Sequence, residues 1–259
     1  MNALLLALVV NSTVMDPSLV NDSDPIRQRD PARALVFQER GVDLVAAGRY
    51  QMAVAQFRRA AAYDPLNVNP LVNLAFCLDK LGRYEQAIEE LKRAEKLGPR
   101  NATVYLNWGN SLINLKRYQD AIVPLRKAVD LEPSNQLARL NLAAAYTNLG
   151  RQNDAASELS QAAEYDPQNP SIYLNWAVLL SGLGQTEQAV QKYERAIALD
   201  PKNLSAYLSC AALLEKLGRL DAASDKIQAA LQVEPNNSLL KEILGKLKEA
   251  ARKRASDED

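Results

Sequence analysis

The chain has 259 residues, and its 31 lysines and arginines balance 31 aspartates and glutamates. A net charge of zero argues against a nucleic-acid clamp, which needs a basic face to meet the phosphates. Histidine is absent altogether, which removes the commonest general base and a common metal ligand.

The chain opens on an apolar run. Residues 3–10 (ALLLALVV) are apolar on every side, unlike an ordinary amphipathic helix, and are far too short to span a bilayer. Two readings stand. In one, the run is the hydrophobic region of an export signal, with Val10 and Ser12 as small-residue cleavage positions. In the other, it is a short segment that covers the exposed end of the first repeat. No Lys or Arg precedes the run, which tips the expected placement to the cytoplasm, with export as the alternative. Residues 16–30, with three Asp-Pro pairs, read as an irregular linker, and Asp30 with Pro31 caps the first helix.

From residue 34 a period takes over. Pro65, Pro99, Pro133, Pro167, Pro201 and Pro235 stand 34 residues apart, which means one supersecondary unit copied and stacked. The units are 34–67, 68–101, 102–135, 136–169, 170–203 and 204–237, within an N-terminal segment at 1–33 and a C-terminal remainder. Their eighth, twentieth and twenty-seventh places all hold Gly or Ala, beginning with Gly41, Ala53 and Ala60. Packed helices need small residues where their axes come closest, so this register has a mechanical cause. Larger apolar residues fill the seventh, eleventh and twenty-fourth places, such as Leu74, Leu78 and Leu91 in the second unit, except that Arg40 takes the seventh place of the first. Trp108 and Trp176 share that seventh place, which reads them as core residues rather than ligand-stacking ones. Spacings of three and four give two amphipathic helices per unit, A over roughly the first fourteen residues and B over roughly the seventeenth to thirtieth.

The punctuation agrees. A glycine separates the two helices at Gly48, Gly82, Gly150, Gly184 and Gly218, suited to a left-handed stop, and Lys116 replaces it in the third unit. Asn67, Asn101, Asn135, Asn169, Asn203 and Asn237 close the units as helix caps, with Asn69 an alternative cap in the first linker. Pro124 lies inside a helix B, where it removes a backbone donor and predicts a kink. Residues 238–254 carry a further apolar stripe, including Leu240, Ile243, Leu244 and Leu247, and read as a capping helix. The rival reading, a basic helix on a membrane surface, is weakened by Glu242 and Glu249. Residues 255–259 form an acidic tail. Cys77 and Cys210 lie four units apart, too far to bridge in a linear stack, so each reads as a free thiol.

Residues 105–133 (YLNWGNSLINLKRYQDAIVPLRKAVDLEP) and 173–201 (YLNWAVLLSGLGQTEQAVQKYERAIALDP) resemble tetratricopeptide repeats. The resemblance covers 34–237. It implies an all-α fold, a right-handed α-solenoid of antiparallel helix pairs with helices A lining the concave side, and a non-enzymatic adaptor or scaffold. Arg139 departs from the pattern, standing at the place of Leu71, Tyr105, Tyr173 and Tyr207.

The sixth residue of helix A is Asn73, Asn107, Asn141 and Asn175 in four consecutive units. Asparagine is a poor residue inside a helix, so a run in one register needs a reason. An amide offers both a donor and an acceptor and can grip a peptide's backbone whatever its side chains are. The alternative is a ladder copied with its unit that bonds only locally. The resemblance places these residues, with Asn110, Asn114 and Asn148, on the concave wall. One place earlier run Leu106, Leu140 and Leu174, either an apolar stripe beside the amides or a seal between neighbouring helices. Family members that clamp a terminal carboxylate use a lysine there, and this chain has none.

The chain therefore reads as a protein or peptide binder that takes an extended, mostly uncharged segment in its groove. A self-assembling scaffold, joined through its end surfaces or its N-terminal segment, is the alternative. Nothing in the pattern calls for a catalytic residue, a metal, a cofactor or a small-molecule substrate: there is no nucleophile–base pair, phosphate loop or metal-ligand spacing. Neither nucleic acid nor a membrane is an expected partner.

Overall fold

The computed structural model describes residues 29–258. Both readings of residues 3–10 lie outside the described residues. Thirteen helices and no strand occur among the described residues. Helices A are α1 (Pro31–Ala46), α3 (Val68–Lys80), α5 (Ala102–Asn114), α7 (Gln136–Asn148), α9 (Pro170–Gly182) and α11 (Leu204–Lys216). Helices B are α2 (Tyr50–Tyr63), α4 (Tyr84–Leu97), α6 (Tyr118–Leu131), α8 (Gln152–Tyr165), α10 (Thr186–Leu199) and α12 (Leu220–Val233). The last helix is α13 (Ser238–Glu258), which runs past residue 254 because no Gly or Pro interrupts it there. The chain divides into two compact units, one ending at Ala145 and the other beginning at Tyr146.

Each turn from A to B is closed in one way. The residue after the glycine donates its N–H to the carbonyl of the eleventh residue: Arg49 to Leu44 and Arg83 to Leu78, both at 2.8 Å, for example. That bond requires a left-handed residue between them, and the five glycines have φ of 70–73°. Lys116 adopts φ 60° in the third repeat, the one non-glycine residue with positive φ among the described residues. Each turn from B to the next A is closed by asparagine. The side-chain oxygens of Asn67, Asn101, Asn135, Asn169, Asn203 and Asn237 accept backbone N–H groups two or three residues on. Asn67, not Asn69, is therefore the cap of α3, and Asn69 lies buried inside that helix. The first helix starts differently. Asp30 accepts the N–H of Arg33 at 2.9 Å, and Pro31 takes the first helical position. Pro31 stands 34 residues before Pro65, so the period reaches one step further back than the six repeats.

The core forms where helices approach. Every alanine at the twentieth and twenty-seventh places is buried. Gly41 and Gly109 allow a still closer approach: a Cβ on Gly41 would come within 2.5 Å of the Phe57 ring, and one on Gly109 would run into Leu125. In the first compact unit Phe57, Leu74, Leu78 and Leu91 form the centre of the core; in the second Tyr193, Cys210, Leu214 and Ile227 do. Leu240 and Leu247 of α13 are buried in that second core, which makes α13 the cap of α12. Trp108 packs against the first core but is only half-buried, as is Trp176. Lysines occupy the open side of both rings, Lys92 5.7 Å from Trp108 and Lys192 3.8 Å from Trp176. The helix α6 runs unbroken through Pro124.

The departure at Arg139 has a physical account. Tyr105 and Tyr173, at the fourth place of helix A, donate their hydroxyls to the carbonyls of Pro99 and Pro167 at 3.0 and 3.1 Å. Arg139 donates its Nε to the equivalent carbonyl of Pro133 at 2.8 Å, so a different side chain makes the same link.

Two outcomes follow. Replacing Lys116 by glycine removes about 1–2 kcal/mol of left-handed strain at a cost of about 0.5–1 kcal/mol in chain freedom. The melting temperature therefore rises, by about 2–4 °C per kcal/mol gained for a chain of this size; a fall would show that Lys116 makes a compensating contact. Burial pushes the Cys77 thiol up to about 12 and the Cys210 thiol up to about 11. The folded protein at about pH 8 should then take up almost no maleimide, and the denatured chain should label at both thiols.

Candidate functional site

The first compact unit carries an open cleft of about 190 Å³ on the side formed by helices A. Helix α3 contributes Ala75, Phe76, Asp79 and Lys80; α5 contributes Leu106, Asn107, Asn110, Ser111 and Asn114; α7 contributes Leu137 and Asn141. All of these lie within the unit that ends at Ala145. The cleft exists because α3 and α5 pack directly on one another and each sets its groove-facing residues at helical spacing.

Asp79 is tied to the next helix A. Its Oδ1 accepts from the Ser111 hydroxyl at 3.0 Å and from Asn114 Nδ2 at 3.2 Å, and its Oδ2 accepts from Asn114 at 3.2 Å and Asn110 at 3.4 Å. Burial raises the pKa of Asp79, and the bonds from Ser111 and Asn114 and the nearby charge of Lys80 offset part of that rise. Nδ2 of Asn110 and of Asn114 is thus turned toward Asp79, and their Oδ1 atoms remain as acceptors.

Asn107 and Asn141 differ. Both are half-buried in the cleft wall, and neither makes a side-chain hydrogen bond among the described residues. Each presents a free donor and a free acceptor beside apolar surface from Phe76, Leu106 and Leu137, the last of these 40 % exposed.

The remaining expected residues fall elsewhere. Asn73 is buried, with Nδ2 lacking a partner, and does not line the cleft. Asn148 and Asn175 are exposed and belong to the second compact unit. Leu140 is half-buried outside the cleft lining, and Leu174 packs half-buried on the second core. Phe76, Asp79, Lys80 and Leu137 were not foreseen. The register held the signal for two of them: Phe76 shares the ninth place with Asn110, and Lys80 the thirteenth with Asn114 and Asn148.

Among the described residues no group of three or more Cys, Asp or Glu could hold a metal ion, and no helix is long and apolar enough to cross a membrane.

Comparison with known proteins agrees with the repeat register. A family profile described as tetratricopeptide repeat matches residues 44–106 and 112–175, and one described as TPR repeat matches 180–218. No curated protein matches the chain. Among solved structures, TTC0263, a thermophilic TPR protein from Thermus thermophilus, is 26 % identical, with a TM-score of 0.58 over 70 % of this chain and 98 % of that one. PilW, a type IV pilus biogenesis factor, is 20 % identical, with a TM-score of 0.72 over 82 % and 98 %. YrrB, described as a TPR protein with an unusual peptide-binding site, is 19 % identical, with a TM-score of 0.56 over 72 % and 96 %. With its helix pairs, its left-handed turns and profile matches through most of the repeats, the chain belongs to the tetratricopeptide repeat family.

Proposed function

We propose that the cleft of the first compact unit holds an extended, mostly uncharged peptide segment of a partner protein. The repeat fold is typically a non-catalytic interaction module, which fits a protein-binding adaptor. The observation that carries the finer reading is the pair Asn107 and Asn141: free amides on neighbouring helices A, half-buried beside apolar surface. A backbone N–H and C=O can pair with each amide, and a large apolar side chain can rest against Phe76, Leu106 and Leu137. Oδ1 of Asn110 and Asn114 adds acceptors for further backbone N–H groups. Asn175 holds the same register place in the second compact unit and is exposed there. YrrB supports the reading only as a protein of like fold whose description names a peptide-binding site.

The test uses a library of end-blocked octapeptides, with the best binder taken forward against the full chain. Asn107→Ala with Asn141→Ala should weaken its binding about tenfold to thirtyfold, because each lost hydrogen bond is worth on the order of 1 kcal/mol. The melting temperature should stay nearly unchanged, since neither amide makes a hydrogen bond among the described residues. A double variant that melts early and binds normally would make the asparagines structural and remove the proposal's support. Asp79 and Lys80 are the charged residues lining the cleft and have opposite signs. Affinity should accordingly change little between about 50 and about 300 mM salt.

A further inference from the structure

The end of the array at α1 is built like a junction that lacks one side. In repeats two to six the third residue of helix A is buried: Pro70, Val104, Ala138, Ile172 and Ala206. Val104 and Ala138 show why, since each packs in a cluster with residues of the preceding helix B. In the first repeat this place is Val36, which is 45 % exposed, and its neighbour Leu35 is 49 % exposed. The seventh place repeats the contrast: Leu74, Leu142 and Cys210 are buried, whereas Arg40 is exposed. Beside this face Phe37 stacks on Tyr63 with ring centroids 5.4 Å apart. The guanidinium groups of Arg40 and Arg59 lie 5.9 and 5.6 Å from the Phe37 ring, and neither has an acidic partner among the described residues.

The chain enters this face from a fixed point. Arg29 is ion-paired with Asp64 at 2.6 Å, and the N–H of Asp30 bonds the carbonyl of Tyr63 at 2.9 Å. The stretch from Val10 to Arg29 can extend about 60 Å, and α1 is about 24 Å long, so residues 3–10 reach any point on it. Their composition suits the face: an unbroken apolar run for Leu35 and Val36, followed by Asp16, Asp22 and Asp24 as counter-charges for Arg40 and Arg59. The helix at the other end of the array is already engaged, with Leu240 and Leu247 of α13 buried against α12.

We propose that residues 3–10 of the same chain pack on the open face of α1, in the place a preceding helix B would fill, with the linker aspartates set against Arg40 and Arg59.

The test uses the full chain carrying Val36→Cys, whose thiol is read by its rate of maleimide labelling over the inert background of Cys77 and Cys210. Adding Leu5→Asp and Leu8→Asp should uncover the face and raise that rate about tenfold, with the helical circular dichroism unchanged. Equal rates in the two proteins would overturn the proposal. In a second arm Leu5→Cys joins Val36→Cys, and a short bismaleimide should link them within one monomer. A covalent dimer would instead assign the face to a second copy and overturn the proposal in its present form. An intact mass showing that the purified chain begins after Val10 would also overturn it, in favour of a removed export signal.

Discussion

The closeness of helix A to helix B governs the rest of this structure. Gly or Ala at the eighth, twentieth and twenty-seventh places lets the two backbones approach until the larger side chains at the seventh, eleventh and twenty-fourth places interlock around the contact. A bulkier residue at any of these points would change the separation of the pair and therefore the placement of every later residue on it. Because the contact repeats every 34 residues, places that face outward repeat as well. Asparagines in one register come to neighbour one another for that reason, and the cleft reuses places from helix to helix: the ninth and thirteenth in α3 and α5, the sixth in α5 and α7.

A second constraint joins one pair to the next. At three junctions the carbonyl of the closing proline, at Pro99, Pro133 and Pro167, is met by a donor from the fourth place of the following helix A. Tyrosine supplies a hydroxyl and arginine a guanidinium N–H, two unlike groups of suitable reach. Arg139 is buried to 5 % exposure, so its charge stands close to a carbonyl dipole in surroundings where an unpaired guanidinium would be costly. The departure from the pattern of side chains keeps the pattern of hydrogen bonds.

Most of the fold was legible in the sequence because its signals are local and repeated. All six helices B lie at the seventeenth to thirtieth places, the glycines take their left-handed φ, and the six asparagines cap. The failures share a cause. Asn67 and Asn69 are both plausible caps by type, and only the backbone geometry of α3 decides between them. Trp108 and Trp176 occupy a core register, yet their rings are too large to be covered fully and are finished by lysines from helices B, which no period announces. The site was legible in part. The ladder at Asn107 and Asn141 follows from the register, but the capture of Asn110 and Asn114 by Asp79 joins residues 31 and 35 apart through an aspartate whose place holds Val45, Ile113, Thr147, Ser181 or Glu215 in the other repeats. Periodicity cannot show a bond made once.

The Asp79 carboxylate bears on which part of a partner chain would suit the cleft under the proposed function. Asp79 lines the cleft with its carboxylate oxygens tied to Ser111, Asn110 and Asn114, while Lys80 stands beside it on the same helix. A free C-terminus would bring a second carboxylate toward the first, and like charges in a partly desolvated space repel. An internal stretch of polypeptide brings only amides. If the cleft holds a peptide as proposed, threading suits it better than end-capture: the partner would be read along its length, at a point where its chain continues out of the cleft in both directions.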